Sequence, residues 1–227
     1  MTARRRAIVA GGATAVAVVA VAGITTLTGR QAVAPRQSPP SPSTLSSPVA
    51  SAPPAPASPK ATTSSPSPVP SLPAGFVEFR DEKAGFSVSY PKDWKVLEVP
   101  DDPEVALLAA LNQRDSFLVR VARLGLQVGP SELPGMTSVT NQIVTSGEGV
   151  KVISGPKQVR VGGLPGYFYL YTFPSGQAGQ QGAHSHYFLF KGDMMITLVF
   201  QAIPEDQFQK RASVFDQIAN SFRVLPG

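Results

Sequence analysis

The two histidines of the chain, His184 and His186, stand two positions apart in a segment that alternates like a β-strand. Side chains at positions i and i+2 of a strand lie on the same face, so both imidazoles could approach one metal ion or one reacting group. A zinc site normally takes three or four protein ligands, and the nearest carboxylate, Asp193, lies beyond the end of the strand. We therefore interpret the pair as two polar residues at the solvent end of a strand, beside a loop rich in glycine and glutamine.

Three of the five tyrosines, Tyr167, Tyr169 and Tyr171, recur at strand period and share one face. If exposed, they would form a stacking platform for sugars or for a partner protein. If buried under a helix, they are ordinary sheet packing, which is the interpretation we favour. Trp94 could line a ligand cleft, but it follows a turn between aromatic strands, and this favours a place in the core.

A small acidic cluster, Asp101, Asp102 and Glu104, could bind calcium. The flanking Pro100 and Pro103, and the missing spaced calcium-loop pattern, indicate a solvated loop instead.

Sequence motifs of catalysis are absent from the chain. There is no Gly-x-Ser-x-Gly elbow, no His-Glu-x-x-His and no phosphate-binding Gly-x-x-x-x-Gly-Lys-Ser/Thr. The chain has no cysteine, which excludes disulfides, thiolate metal sites and cysteine nucleophiles. We therefore predict no catalytic, cofactor-binding or metal-ligating residue. Carboxylate pairs stay open as catalysts, because their proximity arises only in three dimensions.

The net charge of +5 is a misleading guide to partners. Residues 1–73 contain six basic and no acidic side chains, whereas the rest of the chain has 14 basic and 15 acidic ones, a net charge of −1. Because the basic excess is confined to the N-terminal part, we predict no nucleic-acid partner for the folded part.

Residues 1–30 are predicted to be a targeting segment. Three arginines at positions 4–6 precede the 23 uncharged residues 7–29, which as a helix rising about 1.5 Å per residue would cross a hydrocarbon core of about 30 Å. The arginines favour a cytoplasmic N-terminus, so we predict a single-pass anchor in the cytoplasmic membrane with the C-terminal domain extracytoplasmic. The competing interpretation is a signal peptide cleaved after Ala20-Val21-Ala22, which would give a secreted protein.

Residues 31–73 are predicted to be a disordered linker, and residues 74–227 one globular domain. The linker has 13 prolines and 11 serines among 43 residues and no aromatic side chain, so it has almost nothing to bury. The 154 residues that follow are enough for one core.

The domain is predicted to be α+β, with many antiparallel strands and few helices. The C-terminal helix has the clearest pattern, with Pro204 in its first turn and an apolar stripe at Phe208, Ala212, Phe215, Ala219 and Phe222. A second helix is predicted over residues 137–146. Alternating apolar residues predict strands over residues 76–79, 86–90, 94–99, 105–111, 117–124, 150–153, 158–161, 167–173, 184–190 and 194–202.

The segment Phe86-Ser87-Val88-Ser89-Tyr90-Pro91 with Trp94 resembles the F-x-x-x-Y-P-x-x-W opening of PsbP-like domains, which also occur in exported actinobacterial lipoprotein-type proteins. The glycine-rich turn at residues 162–166 and the end of the last helix are similar too. The resemblance implies a twisted antiparallel β-sheet flanked by α-helices. It also implies a role in binding or organising partners rather than in catalysis. A lipid-modified cysteine of the lipoprotein relatives is missing here, so the apolar helix would hold the protein instead.

Together these features predict a non-catalytic domain of the bacterial cell envelope that is tethered to the membrane and binds an envelope protein or a small ligand. One alternative is a secreted or anchored hydrolase that uses carboxylates or the His184/His186 pair. Another is a purely structural spacer.

The anchor prediction is tested by the N-terminus of the mature protein. Because an uncleaved span keeps its arginines, intact-mass spectrometry of the protein from membranes should show a chain that begins within the first two residues. A chain that begins at Gly23 or later would identify a cleaved signal peptide.

Overall fold

The computed structural model describes residues 72–226. The predicted targeting helix of residues 1–30 and nearly all of the predicted linker of residues 31–73 lie outside these described residues. The described part contains nine strands and two α-helices, and a short 3-10 turn (Leu133–Gly135) leads into the first helix. The strands are β1 (Phe76–Asp81), β2 (Phe86–Pro91), β3 (Lys95–Val96), β4 (Val105–Ala110), β5 (Ser116–Val128), β6 (Lys151–Val161), β7 (Leu164–Pro174), β8 (Gln181–Ala202) and β9 (Arg223–Val224); the helices are α1 (Met136–Thr145) and α2 (Gln207–Ser221).

The strands form two antiparallel sheets. A small sheet has the order β1-β2-β9, and a large one has the order β3-β4-β5-β8-β7-β6. The α+β class is therefore confirmed, but the single sheet expected from the sequence is wrong. The hairpin of β1 and β2 pairs through β2 with β9, and these three strands form a separate layer.

The segment β8 reverses direction although its β conformation is continuous. Its first half pairs with β7 and its second half with β5. The Nε2 atom of His184 lies 3.0 Å from Oε1 of Gln201, 17 residues later, whereas a straight strand of that length would separate them by roughly 56 Å. The turn lies near Gly192, which has a φ of +60°, a conformation that glycine adopts without strain.

Alternation along these strands gives the large sheet two buried faces. One face packs with α2 and the small sheet around Phe86, Phe117, Phe200 and Phe222. The other face packs with α1 around Tyr169, Phe188 and other apolar side chains. Residues adjacent in sequence thus enter different cores.

Several boundaries differ from the sequence-based prediction. The helix α2 begins at Gln207, and Pro204 precedes it in a turn. The strand β3 covers only two of the six residues predicted. The strand β6 runs unbroken through the Gly155-Pro156 pair, where a gap was predicted, and it accommodates this pair by irregular pairing with β7. None of the helices within residues 72–226 is both long and apolar enough to span a membrane.

The close approach of β7 and β8 predicts that Gly166→Ala destabilises the fold. An added Cβ would overlap the backbone carbonyl oxygen of Phe188, and because neither strand can move alone, the free energy of unfolding should fall by about 3 kcal/mol. Urea unfolding followed by the fluorescence of Trp94, the single tryptophan, measures this. Gly135→Ala is the control, since its added Cβ has no heavy atom within 4 Å; equal effects of the two changes would contradict the packing argument.

Candidate functional site

The two histidines meet one tyrosine in the interior. The register of β7 with β8 sets Tyr171 opposite His184, and Tyr169 opposite His186. The Oη atom of Tyr171 lies 3.0 Å from Nδ1 of His184 and 3.3 Å from Nδ1 of His186. The predicted shared face is correct, but the predicted solvent-exposed position is wrong, because His184 and His186 are only 6% and 2% exposed.

The hydrogen bonds of this cluster have a defined direction. The side-chain amide of Gln201 donates from Nε2 to the carbonyl oxygen of Arg114, so its Oε1 accepts from Nε2 of His184. In a neutral imidazole the other nitrogen then accepts, so Tyr171 donates to Nδ1 of His184. The oxygen of Tyr171 in turn accepts from Nδ1 of His186. This leaves a lone pair on Nε2 of His186, which is buried without a hydrogen-bond partner among the described residues.

Burial keeps all three side chains uncharged at neutral pH. It lowers the pKa of His184 to about 4, although the hydrogen bond to Gln201 acts in the opposite direction. Burial also holds the pKa of His186 well below its ordinary value, with the neighbouring His184 and Arg120 adding to the effect. Burial raises the pKa of the Tyr171 phenol. Such a cluster is a structural element of the core, because a substrate would have to open the fold to reach either imidazole.

A metal ion finds few donors in this cluster. Both Nδ1 atoms are bound to Tyr171 and one Nε2 to Gln201, which leaves only Nε2 of His186 open. Over residues 72–226, no three His, Cys, Asp or Glu side chains are close enough to hold a metal ion.

The tyrosine stripe is packed as expected, beneath α1. The phenol of Tyr167 donates to the carbonyl oxygen of Leu133 at 2.9 Å. The Oη atom of Tyr169 is 2.9 Å from Oγ1 of Thr140, which is itself fully buried. These bonds fix the helix on the sheet and leave no platform for a sugar.

The remaining candidates also have structural roles. Trp94 is buried and lies edge-on to Phe215, with ring centroids 6.4 Å apart, so its predicted place in the core is confirmed. The guanidinium of Arg120 forms ion pairs with Asp102 and Glu104. Two of the three acidic residues considered for calcium are therefore paired with a cation of the protein. They lie in a loop whose residues 101, 103 and 104 are exposed, as predicted.

The strand β6 is an exposed edge strand, and this exposure was not predicted from the sequence. Nine of its eleven residues are exposed, and they include Val152 and the 60% exposed Ile153. Its pair Val161 and Leu164 closes the two-residue Gly162-Gly163 turn, and the closing pair of such a hairpin is hydrogen-bonded.

In an antiparallel sheet, pairs whose backbones are hydrogen-bonded to each other alternate with pairs that are not. Counting from the hydrogen-bonded Val161–Leu164 pair, Arg160 and Gln158 belong to pairs without hydrogen bonds between them. Their backbone N–H and C=O groups point away from β7. Pro165, which has no N–H to donate, lies opposite Arg160, as expected for a pair without backbone hydrogen bonds. The outer edge at residues 158–160 therefore offers main-chain groups to another chain.

The sequence matches a profile of the PsbP family over residues 74–224. The chain belongs to the PsbP family. Its resemblance in the Phe86–Pro91 strand is thereby confirmed as a family relationship. No curated protein matches the chain significantly.

The solved structures that are similar to this chain are distant in sequence. The cyanobacterial PsbP protein CyanoP from Synechocystis sp. PCC 6803 is 17% identical, with a TM-score of 0.50, and the match covers 72% of this chain and 98% of CyanoP. LpqN of Mycobacterium tuberculosis, described as involved in cell envelope biogenesis, is 11% identical with a TM-score of 0.49, covering 62% of this chain and 83% of LpqN. The Saccharomyces cerevisiae Ran-binding protein Mog1p is 12% identical with a TM-score of 0.45, covering 66% of this chain and 95% of Mog1p.

The buried histidines of this PsbP-family domain predict a loss of stability in mild acid. Their pKa values are lower in the folded state than the ordinary value near 6.5, so the unfolded state binds more protons below pH 6.5. The free energy of unfolding should therefore be highest above pH 6.5 and fall towards pH 5 by about 1.4 kcal/mol per pH unit for each histidine.

Urea unfolding at pH 7, 6 and 5 measures this slope. His186→Phe should reduce the slope by about half, because one titrating group is lost. Tyr171→Phe is the control, since it removes the bridging phenol but keeps both buried imidazoles and hence the slope. A His186→Phe slope equal to that of the unmodified chain would contradict the burial of this residue.

Proposed function

We propose that this PsbP-family chain is a non-catalytic binding domain of the bacterial cell envelope that recognises an extended segment of a partner protein along the edge of β6. In this proposal residues 7–29 hold it in the cytoplasmic membrane, and residues 31–73 carry the domain on the outer side. If the N-terminal segment is cleaved, the same domain is secreted. The exposed main-chain edge at residues 158–160 is the observation that carries the proposal.

The edge is built for a selective strand addition rather than for general aggregation. Long unprotected edges pair with any strand, and proteins limit this with proline, bulges and charge. Pro156 and the shifts of register at residues 152–157 make the pairing of β6 irregular without ending the strand. The edge also carries Lys151, Lys157 and Arg160. The short regular part near Gln158 is therefore left for a partner, and its positive charges favour acidic side chains on that partner.

Two other possible occupants of the edge are unfavourable, chiefly because of their charge. The segment of residues 31–73 of this chain contains Arg36, Lys60 and no acidic residue, and its prolines cannot complete a ladder. A second copy of β6, paired antiparallel, would bring its own lysines and arginine close to those of the first copy. An acidic extended peptide of another protein meets neither obstacle.

The hydrolase alternative finds no support in the position of the histidines. Both imidazoles are buried, and three of their four nitrogens are hydrogen-bonded to Tyr171 or Gln201. A general base must come within hydrogen-bond distance of the proton that it removes.

The proposal is tested by changing one outward N–H group. Gln158→Pro removes a donor that points away from β7, so it leaves the hairpin bonds intact but deprives a partner strand of one bond and hinders its approach. We expect the partner captured by an amine-reactive cross-linker in intact cells, which would react at Lys157, to decrease about tenfold. Quantitative mass spectrometry of the cross-linked species measures the decrease.

Gln158→Ala is the matched control, because it changes the same side chain and keeps the N–H. Capture should be unchanged in this variant. If Gln158→Ala loses as much capture as Gln158→Pro, or if neither variant loses any, the main-chain edge is not the binding element.

A further inference from the structure

A cleft lined with aromatic rings lies on the face of the large sheet opposite the histidines. Strand alternation sends Phe168 and Tyr187 to this face, where they meet the side of α2. The cleft has a volume of about 70 Å³. Five rings line it, namely Phe168, Tyr187, Phe200, Phe208 and Phe215.

The rings follow one another around the opening rather than stacking in one plane. Ring centroids are 4.9 Å apart for Phe168 and Tyr187, 6.1 Å for Tyr187 and Phe200, and 5.2 Å for Phe200 and Phe215. The angles between these neighbouring planes are 55°, 82° and 44°. Phe200 and Phe215 are buried and form the floor, whereas the other three rings are half-buried and form the walls. These pairs are tilted or edge-on, so the aromatic lining is not one flat surface.

The polar groups of the cleft are acidic or neutral. Asp216, exposed on α2, lies at the cleft, and its carboxylate is near enough to Tyr187 to help raise the pKa of that phenol, after the larger effect of burial. Ser185 also lines the cleft and is buried. None of the lining residues is basic.

We propose that this cleft binds a small organic cation of the alkylammonium class. Cations within about 6 Å of aromatic ring faces are attracted by the ring quadrupole, and the Asp216 carboxylate adds a direct charge at the same place. The volume is far below the roughly 300 Å³ or more of a typical small-molecule pocket, so the cleft admits the head group and not a nucleotide or a sugar chain. The cleft contains no residue of β6, although Lys157 of β6 lies opposite Phe168 in the sheet, so the cleft and the β6 edge are neighbouring but different sites.

Binding is measured by titrating the full-length chain, in a non-ionic detergent, with tetramethylammonium and observing amide and aromatic NMR shifts. Tert-butanol, which has a similar shape and no charge, is the matched neutral probe. Tetramethylammonium should shift the signals of the cleft residues in a saturable manner, and tert-butanol should not. Equal shifts from both probes, or none from either, would overturn the proposal.

Two substitutions assign the effect to the carboxylate and to the rings. Asp216→Asn should weaken tetramethylammonium binding about fivefold, because it removes the charge without changing the shape. Phe208→Leu keeps an apolar wall but removes a ring, and it should weaken binding by a similar factor. Asp206→Asn is the control, since this exposed residue precedes the same helix but does not line the cleft. Weaker tetramethylammonium binding in Asp216→Asn than in Asp206→Asn supports the site. Equal affinities of the two variants contradict it.

The alkylammonium group could belong to a free small molecule or to a lipid head group. Competition of bound tetramethylammonium by choline, and by dihexanoylphosphatidylcholine below its micelle concentration, separates these sources. Displacement by choline alone indicates a free cation, and displacement by both indicates that a choline head group also fits. Failure of both to displace the probe would contradict recognition of the ammonium class.

Discussion

The antiparallel pairing of β7 with the first half of β8 is the constraint on which both faces of the large sheet depend. Its register brings Tyr171 to His184 and Tyr169 to His186, and alternation then sends Phe168 and Tyr187 to the other face. One face becomes a closed core of hydrogen-bonded rings beneath α1, and the other becomes an aromatic surface against α2. A slip of one residue would exchange the two sets and leave the polar atoms of the histidine cluster without partners.

Besides the hydrogen bonds within that cluster, other polar contacts reach the two helices. Thr140 of α1 contacts Tyr169, and on the next row His184 contacts Gln201, which donates to the carbonyl oxygen of Arg114. The next residue, Asp115, has a 5% exposed side chain and pairs with Arg211 of α2 at 3.0 Å. Buried polar networks of this kind are costly if one member is lost, so they favour a single arrangement of the two helices on the sheet.

The sequence predicts those features that depend on local periodicity and misses those that depend on what covers a residue. The tyrosine stripe, the apolar face of α2 and the strands on either side of residues 112–115 follow from spacing alone. The burial of His184 and His186 does not, because it depends on Tyr171, Phe173 and Gln201, which only the pairing of strands brings beside the imidazoles. The pairing of Arg120 with Asp102 spans 18 positions, and the aromatic cleft combines β7, β8 and α2. The continuity of β6 through Pro156 was missed because proline normally ends a regular strand.

The positions of the buried and exposed polar groups limit where this domain can bind other molecules. The two imidazoles, which are the side chains best suited to act as general bases near neutral pH, are uncharged and buried. The proposed recognition therefore uses the strand edge and the cleft. The regular edge near Gln158 is short, and a contact of only a few main-chain bonds is weak by itself, since each contributes about 1 kcal/mol. The proposed tether would confine the domain and its partner to one membrane surface and so raise their effective concentration. At that concentration a weak but selective contact along the edge is sufficient for binding.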